Sequence, residues 1–255
     1  MKRRTRLRDA MLGAAGTLGV LLLWEAAARS GVVSPVVFPA PSVAIPEALK
    51  RVTPGELWQH VSASLLRIVW GFCLGAGPGI LIGVASGWYR TLGAVVHPLA
   101  ELVRPIPPLA WIPMAIIWFG LGESSKVFVI FLAAFFPVFT NTYKGMVGID
   151  PLLLRAAQTM GLSGPRLLLS VAIPAALPDI ATGLRVGWGL SFGILVAAEL
   201  IAAEQGMGFL IMHARLLGEV SVIIFGILLI GATNLVTDAC LAGVIRRWLG
   251  RWHAT

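Results

Sequence analysis

Residues whose side chains commonly perform chemistry are few in this sequence, and they do not cluster. No two carboxylates lie three or four positions apart inside an apolar stretch, and Cys73 and Cys240 show neither metal-site nor redox spacing. The histidines are equally scattered, at His60, His97, His213 and His253. An enzyme active site needs acids, bases or metal ligands brought together, so this pattern argues against an intramembrane enzyme such as a lipid-group transferase. We expect no catalytic residue, no metal ligand and no cofactor bound by this chain.

The sequence also has no nucleotide-binding loop of the pattern G-x-x-x-x-G-K-[ST]. In that loop the backbone surrounds the phosphates and the lysine contacts them. None of the four lysines follows a glycine, and they stand at Lys2, Lys50, Lys126 and Lys144. Any work driven by ATP and Mg²⁺ must therefore depend on a partner that binds them.

The very apolar composition of the chain indicates what kind of secondary structure carries its polar residues. Of the 255 residues 57% are apolar and 13% are charged, and the mean hydropathy is +0.86. A soluble domain of this length exposes too much surface to hide so many apolar side chains. We predict an all-α polytopic membrane protein with about six spans of ~20 residues, folded as a single transmembrane domain over residues 1–255. The apolar stretches are 10–29, 65–88, 95–120, 125–147, 179–203 and 220–244.

The third stretch differs from the others because prolines interrupt its first half. A proline removes a backbone donor from a helix and clashes with the preceding turn. Such interruptions are tolerated in membranes where neighbouring groups satisfy the freed carbonyls. The prolines are Pro105, Pro107, Pro108 and Pro113, and they predict a bent or broken helix.

The distribution of basic residues indicates how the chain crosses the membrane. The chain has 20 Lys+Arg and 12 Asp+Glu, a net charge of +8, and basic residues favour the cytoplasmic flanks of spans. With the amino terminus inside, fourteen basic residues fall on the inner side, among them Arg90 and Arg104, and six on the outer side. We therefore predict that both termini are cytoplasmic and that lipid, not nucleic acid, is the partner of this charge. A cleaved signal peptide at 10–29 is the alternative to an uncleaved first span, and both give the same topology beyond it.

Glycines at helical spacing predict close helix packing. In the second stretch they recur every fourth residue, which makes one slowly drifting stripe on a helix, at Gly71, Gly75, Gly79, Gly83 and Gly87. The fifth stretch has glycines at the same spacing in the pairs Gly183/Gly187 and Gly189/Gly193. Small residues at this spacing let two helix backbones approach each other in lipid. The stripes serve either tight packing alone or helices that slide or tilt.

Two ionisable residues lie inside apolar stretches at similar depth, Arg185 in the fifth and Asp238 in the sixth. Because such groups are costly in a membrane unless they are paired or face water, we expect a structural contact between them. Four further polar residues are candidates for lining a polar pathway, and they are Thr140, Asn141, Ser191 and Glu199. The alternatives are hydrogen bonds between helices or, for Glu199, a helix end in interfacial water.

The connection at residues 150–178, here called the elbow, predicts two short helices that project into the cytoplasm. Asp150 can cap the first helix, and Gly161 can end it in a left-handed conformation. Ser163 can cap the second helix, and Pro174 marks the bend into the fifth stretch. A small rigid knob of this kind suits insertion into the groove of a partner protein.

The elbow carries a long, position-specific motif. The motif begins with an arginine and two alanines, has a glycine four positions after the second alanine, and ends nine residues later in an apolar segment closed by proline. Its residues are Arg155, Ala156, Ala157, Gly161, Val171, Ile173 and Pro174. This resembles the inner-membrane permease subunits of bacterial ABC importers, whose pattern is E-A-A, three residues, G, nine residues, I-x-L-P. The resemblance implies that these residues couple the chain to an ATPase subunit. Arg155 replaces the glutamate that helps to dock the ATPase, so docking here rests either on shape and apolar contact or on a complementary charge in the partner.

The resemblance extends over nearly the whole chain, through segments 38–41, 60–72, 104–120 and 199–208. These segments are similar to the branch that imports sulfonates, taurine, nitrate and related anions, and most similar to its sulfonate/taurine permeases. The resemblance implies a type I ABC importer permease fold with a cytoplasmic coupling helix in a bacterial inner membrane. It also implies a homodimer, two ABC ATPase subunits and an extracytoplasmic solute-binding protein.

The expected function is thus the transmembrane subunit of an importer for an organic sulfonate or taurine-type anion. Nothing in the sequence separates this substrate from nitrate, bicarbonate or a heterocyclic cofactor precursor carried by the same architecture. An ion-driven secondary transporter is a distant alternative, since such a protein would favour internal repeats, and no convincing repeat is present.

Overall fold

The chain folds almost entirely into helices, and the predicted all-α class is confirmed. The structure, a computed structural model, describes residues 2–31 and 34–250, without the side chains of 2–11, 14, 17 and 248–250. Within those ranges no strand occurs. The α-helices are α1 (Lys2–Arg29), α2 (Pro41–Arg51), α3 (Pro54–Trp88), α4 (Arg90–Val103), α5 (Ile112–Phe119), α6 (Glu123–Val147), α7 (Pro151–Thr159), α8 (Gly164–Leu167), α9 (Ile173–Ala202), α10 (Met207–Leu216) and α11 (Val220–Gly250).

Four helical segments are long and apolar enough to cross a membrane. They are Pro54–Trp88, Glu123–Val147, Gly164–Ala202 and Val220–Arg247. The pair Arg90–Val103 and Pro108–Phe119 makes a fifth if it is counted as one broken span, because the two halves meet at 81°. The predicted break in the third stretch is therefore confirmed. The first predicted stretch, 10–29, is helical within α1, but several of its side chains lie outside the described residues and it is not in this count.

The centre of the molecule is a layer of three helices in which α6 lies between α3 and α9. Half of the apolar segment of α6 is buried (50%), whereas in α11 the share is 11%. The buried side chains at the junction of the three helices form one continuous apolar cluster that includes Ile68, Phe72, Ile130, Val138, Trp188 and Phe192. The hydrophobic core thus runs along α6, and α11 covers the layer from one side.

The glycine stripe of α3 faces α6 along its whole length, which confirms the predicted close approach. A Cβ placed on Gly75 would lie 2.5 Å from Phe131 O, and one on Gly83 would lie 2.7 Å from Thr142 Cβ. Such distances are shorter than real carbon contacts, so only glycine permits this separation of the two backbones. The pair Gly183 and Gly187 packs against α6 in the same way from the side of α9.

The first half of the elbow forms as the sequence predicts. Asp150 Oδ1 accepts a hydrogen bond from Leu152 N at 2.8 Å and so caps α7. At the other end Gly161 adopts φ +88°, and Leu162 N donates back to Ala157 O at 3.1 Å. This bond spans the turn that closes a helix on a left-handed residue. Both ends of α7 are therefore determined by residues close to them in the sequence, Asp150 at the beginning and Gly161 at the end.

The second half of the elbow differs from the prediction. Ser163 makes no side-chain capping bond, so the predicted cap is wrong. Instead of a short helix and a bend, α8 continues through a π-helical turn (Leu168–Ala172) into α9, giving one helical segment over Gly164–Ala202. In the turn, Ile173 N donates to Leu168 O, five residues earlier. The wider turn lets the helix continue into Pro174, which has no N–H to offer.

Candidate functional site

Helix α7 presents an exposed apolar surface beside a charged residue. Leu152 is 70% exposed and Met160 is 75% exposed, although both are large and apolar. Of the motif residues on α7, Arg155 and Ala156 are exposed, whereas Ala157 is buried, with 2% exposure. The two alanines therefore differ: Ala156 is available to a partner protein, and Ala157 packs the elbow against the rest of the chain.

The remaining motif residues lie at the base of the elbow. Gly161 is in the exposed turn after α7, while Val171, Ile173 and Pro174 are half-buried in the segment that leads into α9. Ile173 packs against an apolar cluster that includes Met146, near the end of α6. The structure thus joins the exposed tip of the elbow to the central layer through packed side chains.

A cavity of about 500 Å³ opens between the central parts of α6 and α9 and the break after α4. Two of the four predicted pathway residues, Thr140 and Asn141, line it. Asn141 Nδ2 donates to Pro137 O at 2.8 Å. Thr140 Oγ1 is buried and has no hydrogen-bond partner among the described residues. Thr140 therefore lines the cavity while its hydroxyl oxygen is enclosed by the packed side chains.

The glycine pair Gly189 and Gly193 lines this cavity and does not pack against a helix. Nothing in the described part of the chain lies within 4 Å of a Cβ placed on either residue. The expectation that both pairs in the fifth stretch mediate helix packing is therefore wrong for this pair within the single chain. The missing side chains instead widen the cavity on its α9 side.

The other two predicted pathway residues are buried elsewhere. Ser191 has no exposed surface, and its Oγ has no hydrogen-bond partner within the described residues. Glu199 is 1% exposed and belongs to a network of polar side chains where α9 ends. Neither residue lines the cavity of Thr140 and Asn141. The structure therefore brings together two of the four candidates and separates the other two from them.

The polar network has Arg67 at its centre, with Glu199 on one side and Glu123 on the other. Arg67 Nη1 lies 2.7 Å from Glu199 Oε1, and Arg67 Nη2 lies 2.8 Å from Glu123 Oε1. The Glu199 carboxylate also accepts hydrogen bonds from Ser64 Oγ at 2.7 Å and from Gly208 N at 2.9 Å. Glu199 on α9 thus contacts α3 and α10, and Arg67 extends the network to Glu123 on α6, so that the network ties four helices together.

The network also positions the short helix α10. Gly208 N is in the first turn of α10, where the backbone N–H groups have no partner within the helix and favour a negative charge. Gly206, just before α10, has φ +137°, and a Cβ placed there would collide with the Glu199 carboxylate. Sequence reasoning did not find the pairing of Arg67 with Glu199. Arg67 stands three residues into the apolar stretch 65–88, so close to its beginning that the charge predicts no partner inside the membrane.

The structure brings Arg185 and Asp238 together. Arg185 Nη2 lies 2.9 Å from Asp238 Oδ2, and the contact joins α9 to α11. Three residues further along α9, Trp188 Nε1 donates to Thr237 Oγ1 at 3.3 Å. The two polar contacts lie along one line between the helices.

Arg104 also lines the cavity, at the break between α4 and α5. The count of basic residues placed it in an inner loop with Arg90, whereas the structure places it between the two halves of the broken third stretch. Its Nη2 lies 3.0 Å from Glu101 Oε2. The cavity is therefore bordered by one cation, the amide residue Asn141 and mostly apolar side chains.

Several helices long and apolar enough to cross a membrane, packed around a cavity, define the class of polytopic α-helical membrane proteins. The chain belongs to the family of binding-protein-dependent transport system inner membrane components, whose family model matches residues 79–250. It is thus a multi-pass inner-membrane permease of the ABC importer type.

Relatives support this assignment over almost the full length of the chain. The taurine transport system permease protein of Escherichia coli is 39% identical over 244 residues, covering 93% of this chain and 88% of the relative. A putative aliphatic sulfonates transport permease protein of Bacillus subtilis is 34% identical over 92% of this chain and 84% of its own length. The bicarbonate transport system permease protein of Synechococcus elongatus is 35% identical over 98% of this chain and 92% of its own length.

Proposed function

We propose that this chain is the transmembrane subunit of an ATP-driven importer and forms the translocation path as a homodimer. Two separate ABC ATPase subunits dock on the elbow and supply the energy, and an extracytoplasmic solute-binding protein delivers the substrate. Both termini lie in the cytoplasm. The observation that carries the proposal is α7, a capped helix with an exposed apolar face that lies within the family-matched residues. A large apolar surface that remains exposed beyond the membrane typically marks a protein–protein contact.

The connection between the elbow and the cavity supports a route for coupling. The elbow continues through α8 and the π-helical turn into α9, and α9 forms one wall of the cavity. A rotation or shift imposed on α7 by the ATPases therefore reaches residues that line the cavity through packed side chains and a continuous helix. ATP binding selects one state of the permease because the docked ATPases contact the elbow differently in the two states.

The relatives support an organic sulfonate or taurine-type anion as the substrate. Two of the relatives named above are permeases for taurine and for aliphatic sulfonates. The bicarbonate relative, with 35% identity over 98% of the chain, makes an inorganic anion the second candidate. Thr140 and Asn141 then belong to the translocation path, and the contact between Arg185 and Asp238 is a structural tie between α9 and α11.

Substitution at Ala156 tests the docking of the ATPase without unfolding the elbow. Ala156 is exposed, whereas a large residue at the buried Ala157 would also disrupt the elbow itself. We expect Ala156→Arg to abolish co-purification of the ATPase subunit and to lower uptake at least about tenfold, the loss expected when one central contact of an interface is removed. The control is Gln158→Arg, which adds the same side chain to another exposed face of α7. Normal uptake and normal co-purification in Ala156→Arg would overturn the docking assignment.

A second variant tests whether the elbow transmits the motion. Gly161→Pro removes the left-handed conformation at φ +88° and the Gly161 N–H, which donates to Gln158 O at 2.9 Å. We expect this variant to insert in the membrane in normal amounts and to lose transport. Wild-type uptake would show that the shape of the elbow is irrelevant to coupling.

A further inference from the structure

Arg104 and the cavity between α6 and α9 have a charge and a shape that specify a ligand class. We infer that this cavity is a substrate site within the permease itself, and that it selects organic anions with an apolar body over small inorganic anions. Arg104 holds the negatively charged group, and the apolar walls hold the organic part. The inference rests on the proposed transport function, because it assigns a substrate class to the path of that transporter.

The position of Arg104 follows from the broken third stretch. The cavity is lined by residues 132–141 of α6 and 186–194 of α9, which are the central portions of both helices. An ionisable side chain at that level of a membrane protein is costly unless it faces a water-filled cavity or a partner. Irregular backbone at that level is tolerated where it lines a cavity. At the break after α4, both the irregular backbone and the charged side chain of Arg104 border the cavity.

The charge of Arg104 remains available to a ligand. Its side chain is 47% exposed, and Glu101 is its only ionic partner among the described residues. A guanidinium offers five N–H donors in a planar fork and binds carboxylate, phosphate and similar oxyanions through two of them at once. One contact at 3.0 Å to Glu101 Oε2 leaves donors free.

The walls of the cavity favour an organic anion over a bare inorganic one. Leu132, Phe136, Leu190 and Ile194 line it, and the positions of Gly189 and Gly193 leave it wide. A volume of about 500 Å³ falls within the usual range of sites for small organic ligands. Nitrate or bicarbonate would reach Arg104 and leave most of these walls without a contact. The apolar chain of an alkanesulfonate contacts these walls and is removed from water.

Binding to the purified full-length permease tests this site independently of transport. The wild-type chain in lipid nanodiscs is titrated with butane-1-sulfonate, with nitrate and with butan-1-ol. We expect saturable binding of the sulfonate and a loss of affinity by at least about tenfold in Arg104→Gln, because this variant loses a charge-assisted contact with the anion. Arg104→Lys keeps the charge and should retain most of the affinity. Arg90→Gln is the matched control, since Arg90 is exposed on α4 and does not line the cavity.

The outcomes separate this inference from the proposed function. Absence of sulfonate binding to the wild-type chain, or equal binding in Arg104→Gln, overturns the site. Equal competition by nitrate overturns the preference for organic anions, and equal competition by butan-1-ol overturns the role of the charge. Uptake by the complete transporter is measured in parallel. Arg104-dependent binding together with an absence of ATP-driven uptake would refute the proposed function and leave the site standing. Normal uptake in Arg104→Gln would refute the site and leave the proposed function standing.

Discussion

At the scale of single residues, the Glu199 carboxylate is a buried acidic group with several hydrogen-bond donors around it. It is buried among α3, α9 and α10, yet it accepts hydrogen bonds from Ser64, Arg67 and Gly208. A buried ion pair adds little net stability compared with apolar packing, but the loss of one partner leaves an uncompensated charge and is strongly destabilising. The second partner of Arg67, Glu123, is 60% exposed, so water screens that half of the network. The buried half should therefore dominate.

We predict that Glu199→Gln destabilises the protein by about 2–4 kcal/mol, because it leaves the Arg67 guanidinium without its buried counter-charge. The control is Glu204→Gln, the same substitution five residues later, on an exposed carboxylate without a described ionic partner. That change should stay within about 0.5 kcal/mol. Thermal unfolding of both variants in the same detergent compares them directly. Equal melting temperatures for the two variants would mean that the network is not a structural tie.

Residue-scale prediction from sequence succeeded where the signal was local or unusual. Asp150 and Gly161 act through their own backbone neighbours, so their capping roles could be predicted from residue type and position. Two charges at similar depth inside apolar stretches pointed to Arg185 and Asp238, which the structure places in contact. Arg67 lies near the beginning of its stretch, where a charge is unremarkable, and its partner follows 132 residues later. No local pattern encodes such a pairing.

At the scale of helices, the stripe on α3 determines how closely α3 and α6 pack. Gly75 and Gly77 are two residues apart on α3 and point in opposite directions. A Cβ on Gly75 would meet the backbone of α6, whereas nothing in the described chain lies within 4 Å of one on Gly77. The two positions therefore separate packing from the intrinsic helical preference of the residue.

We predict that Gly75→Leu destabilises the protein by about 3 kcal/mol or more, because the side chain must push the two helices apart. Gly77→Leu should be neutral or slightly stabilising, since leucine favours the helix more than glycine does by up to about 1 kcal/mol. Measurements of thermal unfolding in lipid nanodiscs, together with the yield of inserted protein, report both effects. If the two variants behave alike, α3 and α6 do not pack along this stripe.

Helix boundaries show where sequence reasoning stops at this scale. Proline-rich sequence predicted the break between α4 and α5 correctly, because several prolines together exclude a regular helix there. At Pro174 the predicted bend does not occur, because a π-helical turn carries the helix through. The difference depends on packing, since the residues around Pro174 lie against α6 and are held in a helical path. The periodicity of apolar residues in the sequence does not show that α6 packs against the residues around Pro174.

At the scale of the whole molecule, the network of Arg67 and the elbow lie at opposite ends of the central layer. Arg67 and Glu123 lie in the first halves of α3 and α6, and Glu199 lies near the end of α9. The elbow lies between the end of α6 and the beginning of α9, and the cavity is between these two ends. The single chain thus has a tied end, a central cavity and a projecting end. The orientation proposed from the basic residues assigns the tied end to the outside and the elbow to the cytoplasm.

Accessibility of engineered cysteines to a membrane-impermeant maleimide tests this orientation. The parent chain carries Cys73→Ser and Cys240→Ser, because both native cysteines are free and exposed. Into it we would introduce Val36→Cys, on the segment before α2, or Met160→Cys, at the end of α7. Both native side chains are largely exposed.

We predict that Val36→Cys reacts in right-side-out membrane vesicles and that Met160→Cys reacts only in inside-out vesicles. The physical reason is that basic residues resist translocation and hold their flanks in the cytoplasm, which assigns the elbow to the side where ATP is available. The unlabelled parent chain measures background, and detergent-solubilised protein shows that each cysteine can react. The reverse pattern would invert the topology and would exclude docking of a cytoplasmic ATPase on α7. Labelling of Met160→Cys that falls when the ATPase subunit is present would link this topology to the proposed docking surface, because Met160 adjoins Ala156 across the last turn of α7.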